Sequence, residues 1–236
     1  DEPILVTDLS DRQARALRMA YAELGAVGPQ VMLASYFGAL DDNLDLALSL
    51  PVVGLHLDLV RAPHQLDAVL ARGAEKTLSL GLIDGRNVWR ADLATALARA
   101  RDAAVRHGAD RIQIAPSCSL LHVPVDLTDE EELDAELKSW LAFATQKLAE
   151  VVTLTRALSG DDVSAELSAN AAALALRRAS PRIHDPRVKA RAAAIGAADQ
   201  TRQSPYATRA IAQAGVLRLP DFPTTTIGSF PQTAAV

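Results

Sequence analysis

The sequence contains a single cysteine, so no intramolecular disulfide can form, which is typical of a reducing compartment. It also lacks any uninterrupted apolar run of about 18 residues, and its first residues show no basic region followed by an apolar one. Neither a membrane span nor a signal peptide is indicated, and we expect a cytoplasmic protein. The net charge of -5 comes from interleaved signs rather than from a block. A nucleic-acid partner is therefore not expected.

Several motifs that carry chemistry are also missing from the sequence. No Gly-x-Gly-x-x-Gly follows a predicted strand and no Gly-Lys-Ser/Thr occurs, so the phosphate-binding elements of Rossmann and P-loop proteins are absent. No Gly-x-Ser-x-Gly elbow supports serine-hydrolase chemistry. The 5 histidines form no His-x-x-x-His pair, and with a single cysteine there is no Cys-x-x-Cys pair. The spacing of these residues predicts no metal site in this chain.

Short apolar runs rich in β-branched residues alternate with longer helical patterns over the first part of the chain. This alternation predicts an α/β fold with about five parallel strands joined by right-handed crossover helices. The predicted strands are residues 3–6, 31–37, 52–59, 77–82 and 111–115. They could form an open doubly wound sheet or an arc of a barrel, since periodicity does not separate the two. Because the phosphate-binding elements of open sheets are missing, we predict a partial (βα)8 barrel of the TIM type.

Capping residues give the expected limits of the helices. Ser10-Asp-Arg-Gln13 is a capping box that opens a helix toward Leu24. Glycines are expected to end two further helices, residues 63–72 at Gly73 and 92–107 at Gly108. A second capping box, Thr128-Asp-Glu-Glu131, predicts one long helix to about residue 158.

The pattern changes after residue 160, where an alanine-rich stretch is followed by Asp185-Pro186 and Ser204-Pro205. Each of these pairs resembles an N-cap followed by proline at the first helical position, so we predict three helices without strands. Residues 224–229 then read as an extended segment with no helix after it. We expect three parts: residues 1–160 as the second part of a barrel, 161–220 as a helical linker, and 221–236 as the first strand of another domain.

Two segments carry a family resemblance. The first is Pro116-Ser-Cys-Ser-Leu-Leu-His-Val-Pro-Val-Asp-Leu127, followed by Trp140 on the next predicted helix, and the second is Thr224-Thr-Thr-Ile-Gly-Ser-Phe-Pro-Gln-Thr233. In these segments, and along its whole length, the chain resembles the cobalamin-independent methionine synthases. The resemblance implies the later part of an N-terminal barrel, the inter-domain connection and the opening strand of a C-terminal catalytic barrel.

In that family, zinc-bound homocysteine takes a methyl group from 5-methyltetrahydropteroyltri-L-glutamate. The resemblance therefore implies a zinc-dependent methyltransferase of methionine biosynthesis, whose zinc ligands are expected outside this chain. If the two barrels are duplicates, Cys118 and Asp58 occupy positions that hold zinc in the second barrel. Ala34 and Tyr36 occupy the remaining two positions, and neither side chain can replace the His-x-Cys pair found there. The resemblance thus implies no metal site and no turnover in this chain alone.

The resemblance also gives one set of site residues: Ile227, Gly228 and Ser229, which are expected to contact the amino-acid part of homocysteine. Glycine lets backbone N–H groups approach a carboxylate closely, and serine adds a hydroxyl donor. Without the family, Ile-Gly-Ser is an ordinary strand-to-turn tripeptide.

Structural alternatives remain for the other candidates. Cys118 and His122 supply only two ligands and can equally be a packed thiol beside a locally hydrogen-bonded histidine. Asp84-Gly85-Arg86-Asn87 reads as a turn. For the chain as a whole, the alternative to an enzyme fragment is a non-catalytic half-barrel that serves as a scaffold or binding module. An aldol-type barrel enzyme is disfavoured because no lysine lies within a predicted strand. Exposed barrel edges near Ile4 and Val6 suggest self-association.

Overall fold

The structure, a computed structural model, describes residues 1–73 and 75–225. The chain divides into two compact units, Asp1–Ser180 and Pro181–Val236. The first unit contains the sheet and most of the helices. The second is helical over its described residues, with α8 spanning Pro186–Ala193 and α9 spanning Tyr206–Leu217.

Within the described residues, the first unit holds one sheet of four parallel strands in the order β1-β2-β3-β4. The strands are β1 Met32–Ala34, β2 Gly54–Asp58, β3 Thr77–Ile83 and β4 Ile112–Pro116. The predicted α/β class with a parallel sheet is confirmed. Each strand pairs with the next one in the sequence, without the reversal of strand order that doubly wound sheets have.

The first predicted strand is wrong, because Pro3–Val6 is a 3₁₀ helix. The backbone N–H of Glu2 donates to the carbonyl of Ala34 at 2.8 Å, so the chain starts beside β1 and then turns away. Proline suits the first helical position, and Leu5 is the buried residue of this turn. The Asn43 amide donates to the carbonyls of Leu5 and Thr7 at 2.9 and 2.8 Å. These two hydrogen bonds from a distant side chain take the place of the inter-strand backbone hydrogen bonds that a strand would need.

The described residues of the first unit form seven α-helices. Their bounds, in order along the chain, are α1 Asp11–Val27, α2 Leu44–Ser49, α3 Gln65–Ala71, α4 Leu93–His107, α5 Ala135–Trp140, α6 Ala144–Leu158 and α7 Ser164–Ala179. The capping box at Ser10 and Gln13 is confirmed. Gly73 and Gly108 follow α3 and α4 with φ of 61° and 103°, in the region that favours glycine.

The long helix predicted over residues 128–158 is wrong, since the chain forms α5 and α6 with an extended break between them. Leu141, in the break, forms an isolated antiparallel bridge with Trp89. Asp134 caps α5 by accepting from the backbone N–H of Leu137. The tertiary pairing with Trp89 therefore overrides a helical pattern that is continuous in the sequence.

The core of the first unit lies between the sheet and its helices. Both β2 and β3 are buried along nearly their whole length, with Leu55, Leu57, Leu78 and Leu80 inaccessible to solvent. Nearly continuous burial is the rule for parallel strands that have both faces covered. The core therefore extends along β2 and β3 to the carboxyl termini of these strands.

Within the first unit, α7 is joined by hydrogen bonds to the start of α4. The Asn170 amide nitrogen donates to the carbonyl of Ala91 at 2.9 Å, and its oxygen accepts from Leu93 N–H at 3.2 Å. These bonds fix α7 to the start of α4. The predicted division of a larger protein at residues 160 and 220 stays a prediction. Among the described residues, no helix is both long and apolar enough to cross a membrane.

Candidate functional site

Polar and aromatic side chains collect where the four strands end. Because all strands are parallel, the segments that follow them meet at one edge of the sheet, the edge at which parallel α/β proteins bind ligands. These segments are residues 35–37 after β1, 58–61 in and after β2, 84–87 after β3 and 117–122 after β4. We call this edge the carboxyl rim.

Asp58 is the central residue of the carboxyl rim and is almost completely buried. One of its oxygens, Oδ2, accepts from the backbone N–H of Phe37 at 2.9 Å. The other, Oδ1, accepts from the backbone N–H groups of Val60 and Arg61 at 3.0 and 2.9 Å. Three amide donors thus compensate the buried carboxylate. Asp58 holds two neighbouring strand ends together rather than presenting free oxygens.

Phe37 has a strained backbone, with φ of 76°, which is unusual for a bulky residue. Such a conformation costs on the order of 1–3 kcal/mol and persists where the surroundings impose it. The hydrogen bond from Phe37 N–H to Asp58 is one contact that imposes it. The ring is 38% exposed and meets the His122 ring edge to face, with centroids 5.6 Å apart. The hydrogen bond to Asp58 therefore holds the Phe37 ring at the carboxyl rim.

His56 lies beneath the carboxyl rim as a buried neutral histidine. Its Nε2 is 3.2 Å from the Ser117 carbonyl, which can only accept, so Nε2 carries the proton. Its Nδ1 then accepts from the Ser79 hydroxyl at 2.9 Å. Burial lowers the pKa of His56, and the Ser117 carbonyl and Asp58 oppose this effect. Both ring nitrogens are used to join β2, β3 and β4, which leaves neither free for a ligand.

The turn predicted at Asp84-Gly85-Arg86-Asn87, directly after β3, is confirmed, and Arg86 is its exposed residue. Asp84 accepts from Arg86 N–H at 2.8 Å and from the Asn87 amide at 2.6 Å. Gly85 donates its N–H to the Ser117 hydroxyl at 3.1 Å, and a Cβ on Gly85 would lie 2.7 Å from the Cys118 carbonyl oxygen. Only glycine allows this close approach, so the turn is fixed against the segment after β4.

The residues at the carboxyl rim that correspond to zinc ligands of the family's second barrel do not fit a zinc ion. Both oxygens of Asp58 accept backbone hydrogen bonds, and burial raises the pKa of the Cys118 thiol, which disfavours the thiolate that zinc requires. Ala34 and Tyr36 offer no nitrogen or sulfur ligand. His122 contacts Phe37 through its ring. Within residues 1–73 and 75–225, no three His, Cys, Asp or Glu side chains are grouped as metal ligands.

Two buried ionisable residues of α6, Lys147 and Glu150, were not indicated by the sequence. Lys147 is inaccessible to solvent and donates to the Trp89 carbonyl at 3.0 Å. Burial lowers its pKa, against the opposing effect of Glu150. Oε1 of Glu150 accepts from Ala91 N–H at 3.0 Å, whereas Oε2 accepts no hydrogen bond in the described part of the chain. Burial raises the pKa of Glu150, while Ala91 N–H, Lys147 and Arg90 oppose the effect.

Glu150 predicts a pH dependence of stability. Since folding raises its pKa above the usual 4.5, its contribution to the free energy of unfolding is fully present below pH 4.5 and falls as the pH rises through the folded pKa. Glu150→Gln removes this loss. We expect the stability of the variant relative to the parent to increase as the pH rises above 4.5, as measured by urea unfolding at several pH values.

Glu166→Gln is the matched control with the opposite sign. A backbone hydrogen bond and the Arg156 guanidinium lower the pKa of Glu166, so its contribution is lost as the pH falls. The stability of this variant relative to the parent should therefore decrease as the pH rises. Parallel pH profiles for Glu150→Gln and the parent would contradict the assignment.

The predicted homocysteine contacts, Ile227, Gly228 and Ser229, lie outside the described residues. The structure brings Asp58, Cys118 and His122 to one edge of the sheet but does not join them into a ligand set. Sequence reasoning missed Phe37, His56, Lys147 and Glu150 as structurally important. A lysine and a glutamate three positions apart on a helix with an apolar face are the only signal that could have indicated the buried pair.

Comparison with known proteins gives a consistent result. Residues 1–107 match a family model described as the N-terminal domain of cobalamin-independent synthase. The whole chain is 56% identical to part of a protein from Rhodopseudomonas palustris, 55% to one from Nitrobacter winogradskyi and 53% to one from Caulobacter vibrioides. Each relative is named 5-methyltetrahydropteroyltriglutamate–homocysteine methyltransferase.

The chain spans 31% of the length of these curated relatives, and the alignment covers 100% of the chain. Identity of 53–56% over the whole chain, together with the matched N-terminal domain, confirms the resemblance. Residues 1–107 therefore match the N-terminal domain of the cobalamin-independent methionine synthase family, and the whole chain is similar to 31% of the length of each of these methyltransferases.

Proposed function

We propose that this chain is part of an enzyme that makes methionine by transferring a methyl group from 5-methyltetrahydropteroyltri-L-glutamate to homocysteine. The observation that carries the proposal is the name shared by relatives that are 53–56% identical over the whole chain. Because the chain spans 31% of each relative, the activity belongs to the larger protein. A cytoplasmic location, expected for a single-cysteine protein of central metabolism, is part of the same proposal.

Within that enzyme, this chain supplies an arc of the first (βα)8 barrel and the helical connection that follows it. The sequential order of four parallel strands supports the barrel arc. The arc acts as a scaffold, since Asp58, His56 and Ser117 use their polar atoms to join strand ends. The zinc that the family uses is held by residues outside this chain. The chain alone is expected to be inactive, and self-association through its sheet edges stays a prediction.

The homocysteine contact is proposed for Ile227, Gly228 and Ser229. In the protein translated from the whole open reading frame that encodes this chain, Gly228→Val should raise the KM for homocysteine steeply. A branched side chain would push the substrate carboxylate away from the backbone N–H groups. Ser229→Ala should weaken binding by about 1–1.5 kcal/mol, the usual contribution of one hydrogen bond. Steady-state kinetics with homocysteine as the varied substrate measure both effects.

Gly215→Val is the matched control. Gly215 lies in α9, and a Cβ built on it meets no atom within 4 Å. This variant should keep the parent KM for homocysteine. An unchanged KM in Gly228→Val would contradict the site assignment, whereas an equal rise in both variants would point to a general loss of folding.

A further inference from the structure

Arg86 is the one exposed cation of the carboxyl rim that is stacked on an aromatic ring. Its Cζ lies 4.4 Å from the centroid of Phe37. Among the described residues, its guanidinium makes no ion pair and no side-chain hydrogen bond. Stacking uses the face of the guanidinium and leaves its N–H groups, which lie in the plane, available.

The position of Arg86 is fixed from two sides. Its backbone N–H donates to Asp84, and the preceding Gly85 is held against Cys118 and Ser117. The ring beneath it is held by the strained backbone of Phe37 and the bond to Asp58. A pre-positioned guanidinium loses less conformational freedom when it binds a ligand than a free surface arginine does. Residues in strained conformations also tend to cluster at ligand sites.

The neighbouring charges limit the kind of anion that fits. Asp84 and Arg86 flank Gly85, which lies against Cys118, and Asp58 binds the backbone N–H of Phe37, on whose ring Arg86 is stacked. The carboxylates of Asp58 and Asp84 accept hydrogen bonds from backbone and amide donors. They repel a dianion more strongly than a monoanion.

From this arrangement we propose that Arg86, stacked on Phe37, forms a binding site for the carboxylate of a small organic acid with a flat frame. The carboxylate pairs with the N–H fork of Arg86, in the bidentate geometry that guanidinium groups favour. The flat frame covers the exposed part of the Phe37 ring. The proposal does not depend on the methyltransferase activity, because it requires only groups of the first compact unit.

Benzoate is a suitable probe for the 236-residue chain. Two-dimensional ¹H–¹⁵N spectra should show a saturable shift of the Arg86 Nε–H signal, with a dissociation constant on the order of 10 mM. Benzamide, which has the same shape without charge, should give no saturable shift. Phenyl phosphate should bind more weakly than benzoate. N-acetylglutamate amide tests whether a peptide-borne carboxylate without a flat frame suffices, and it should also bind more weakly.

Variants separate this site from general anion binding, with the His122 ring signals as a second readout. Arg86→Gln should abolish saturation, and Arg86→Lys should weaken binding about tenfold because an ammonium cannot form the fork. Arg15→Gln, a change at an exposed arginine of α1, should leave binding unchanged. Equal shifts with benzoate and benzamide, unchanged binding in Arg86→Gln, or equal losses in Arg86→Gln and Arg15→Gln would each overturn the proposal. Since Arg86 is exposed, its variants should retain the dispersed spectrum of the parent.

Discussion

Replacing Asp58 by alanine is expected to destabilise the chain by about 3–4 kcal/mol. Three hydrogen bonds to the carboxylate are lost, while removing the cost of burying that group offsets part of the loss. The change leaves the backbone N–H groups of Phe37, Val60 and Arg61 without their acceptor. It also removes the contact that holds Phe37 in its strained conformation. Urea unfolding, followed by circular dichroism, measures the effect as a lower midpoint.

Two further variants make this test specific. Asp58→Asn keeps one acceptor oxygen but turns an amide nitrogen toward a backbone donor, so about half of the loss should remain. Asp8→Ala, at an exposed aspartate, should shift the stability by less than about 0.5 kcal/mol. A stability of Asp58→Ala equal to that of the parent would show that Asp58 does not hold the carboxyl rim together.

The second large effect is expected for Gly81→Ala in β3. A Cβ at this position would lie 2.6 Å from the Leu57 carbonyl oxygen and 2.8 Å from Ser117 Cα, and both are backbone atoms of neighbouring segments. The strands must move apart to admit it, at a cost of about 3 kcal/mol. The same displacement should disturb His56, whose Cε1 would be 3.0 Å away. Thermal unfolding and the shifts of the His56 ring protons report the two consequences.

Gly54→Ala is the matched control in β2. Its Cβ would meet the Cε and Sδ atoms of Met32, at the end of a flexible side chain that can rotate away. The nearest backbone atom, the Thr77 carbonyl oxygen, would lie 3.0 Å away, farther than the two backbone atoms that a Cβ at Gly81 would meet. The cost should therefore be about 1 kcal/mol or less. If Gly54→Ala were as destabilising as Gly81→Ala, the effect would come from alanine in the strand rather than from the close approach to Leu57 and Ser117.

Local signals in the sequence predicted much of the first unit. The capping box at Ser10 and the glycines after α3 and α4 depend on groups only a few residues apart, and the structure confirms them. Four of the five predicted strands are found in a parallel sheet. Such features need no knowledge of distant contacts, because backbone conformation and burial pattern determine them directly.

The wrong predictions both arise from distant contacts. Pro3–Val6 is apolar and contains two β-branched residues, but the Asn43 amide donates to the carbonyl of Leu5 and favours a 3₁₀ turn. The break after Trp140 depends on the bridge between Leu141 and Trp89, some fifty residues apart in the sequence. The candidate site also depends on a distant contact, because the stacking of Arg86 on Phe37 joins the ends of β1 and β3. A sequence pattern cannot show such pairs without the register of the sheet.

We propose that this chain is part of a methionine-forming methyltransferase to which it contributes scaffold rather than metal ligands. The most direct test is methionine formation from homocysteine and 5-methyltetrahydropteroyltri-L-glutamate, measured in parallel for the protein translated from the whole open reading frame and for the 236-residue chain. Methionine is expected from the protein translated from the whole open reading frame and not from the 236-residue chain. Absence of methionine from the first sample, or turnover by the 236-residue chain alone, would contradict the proposal.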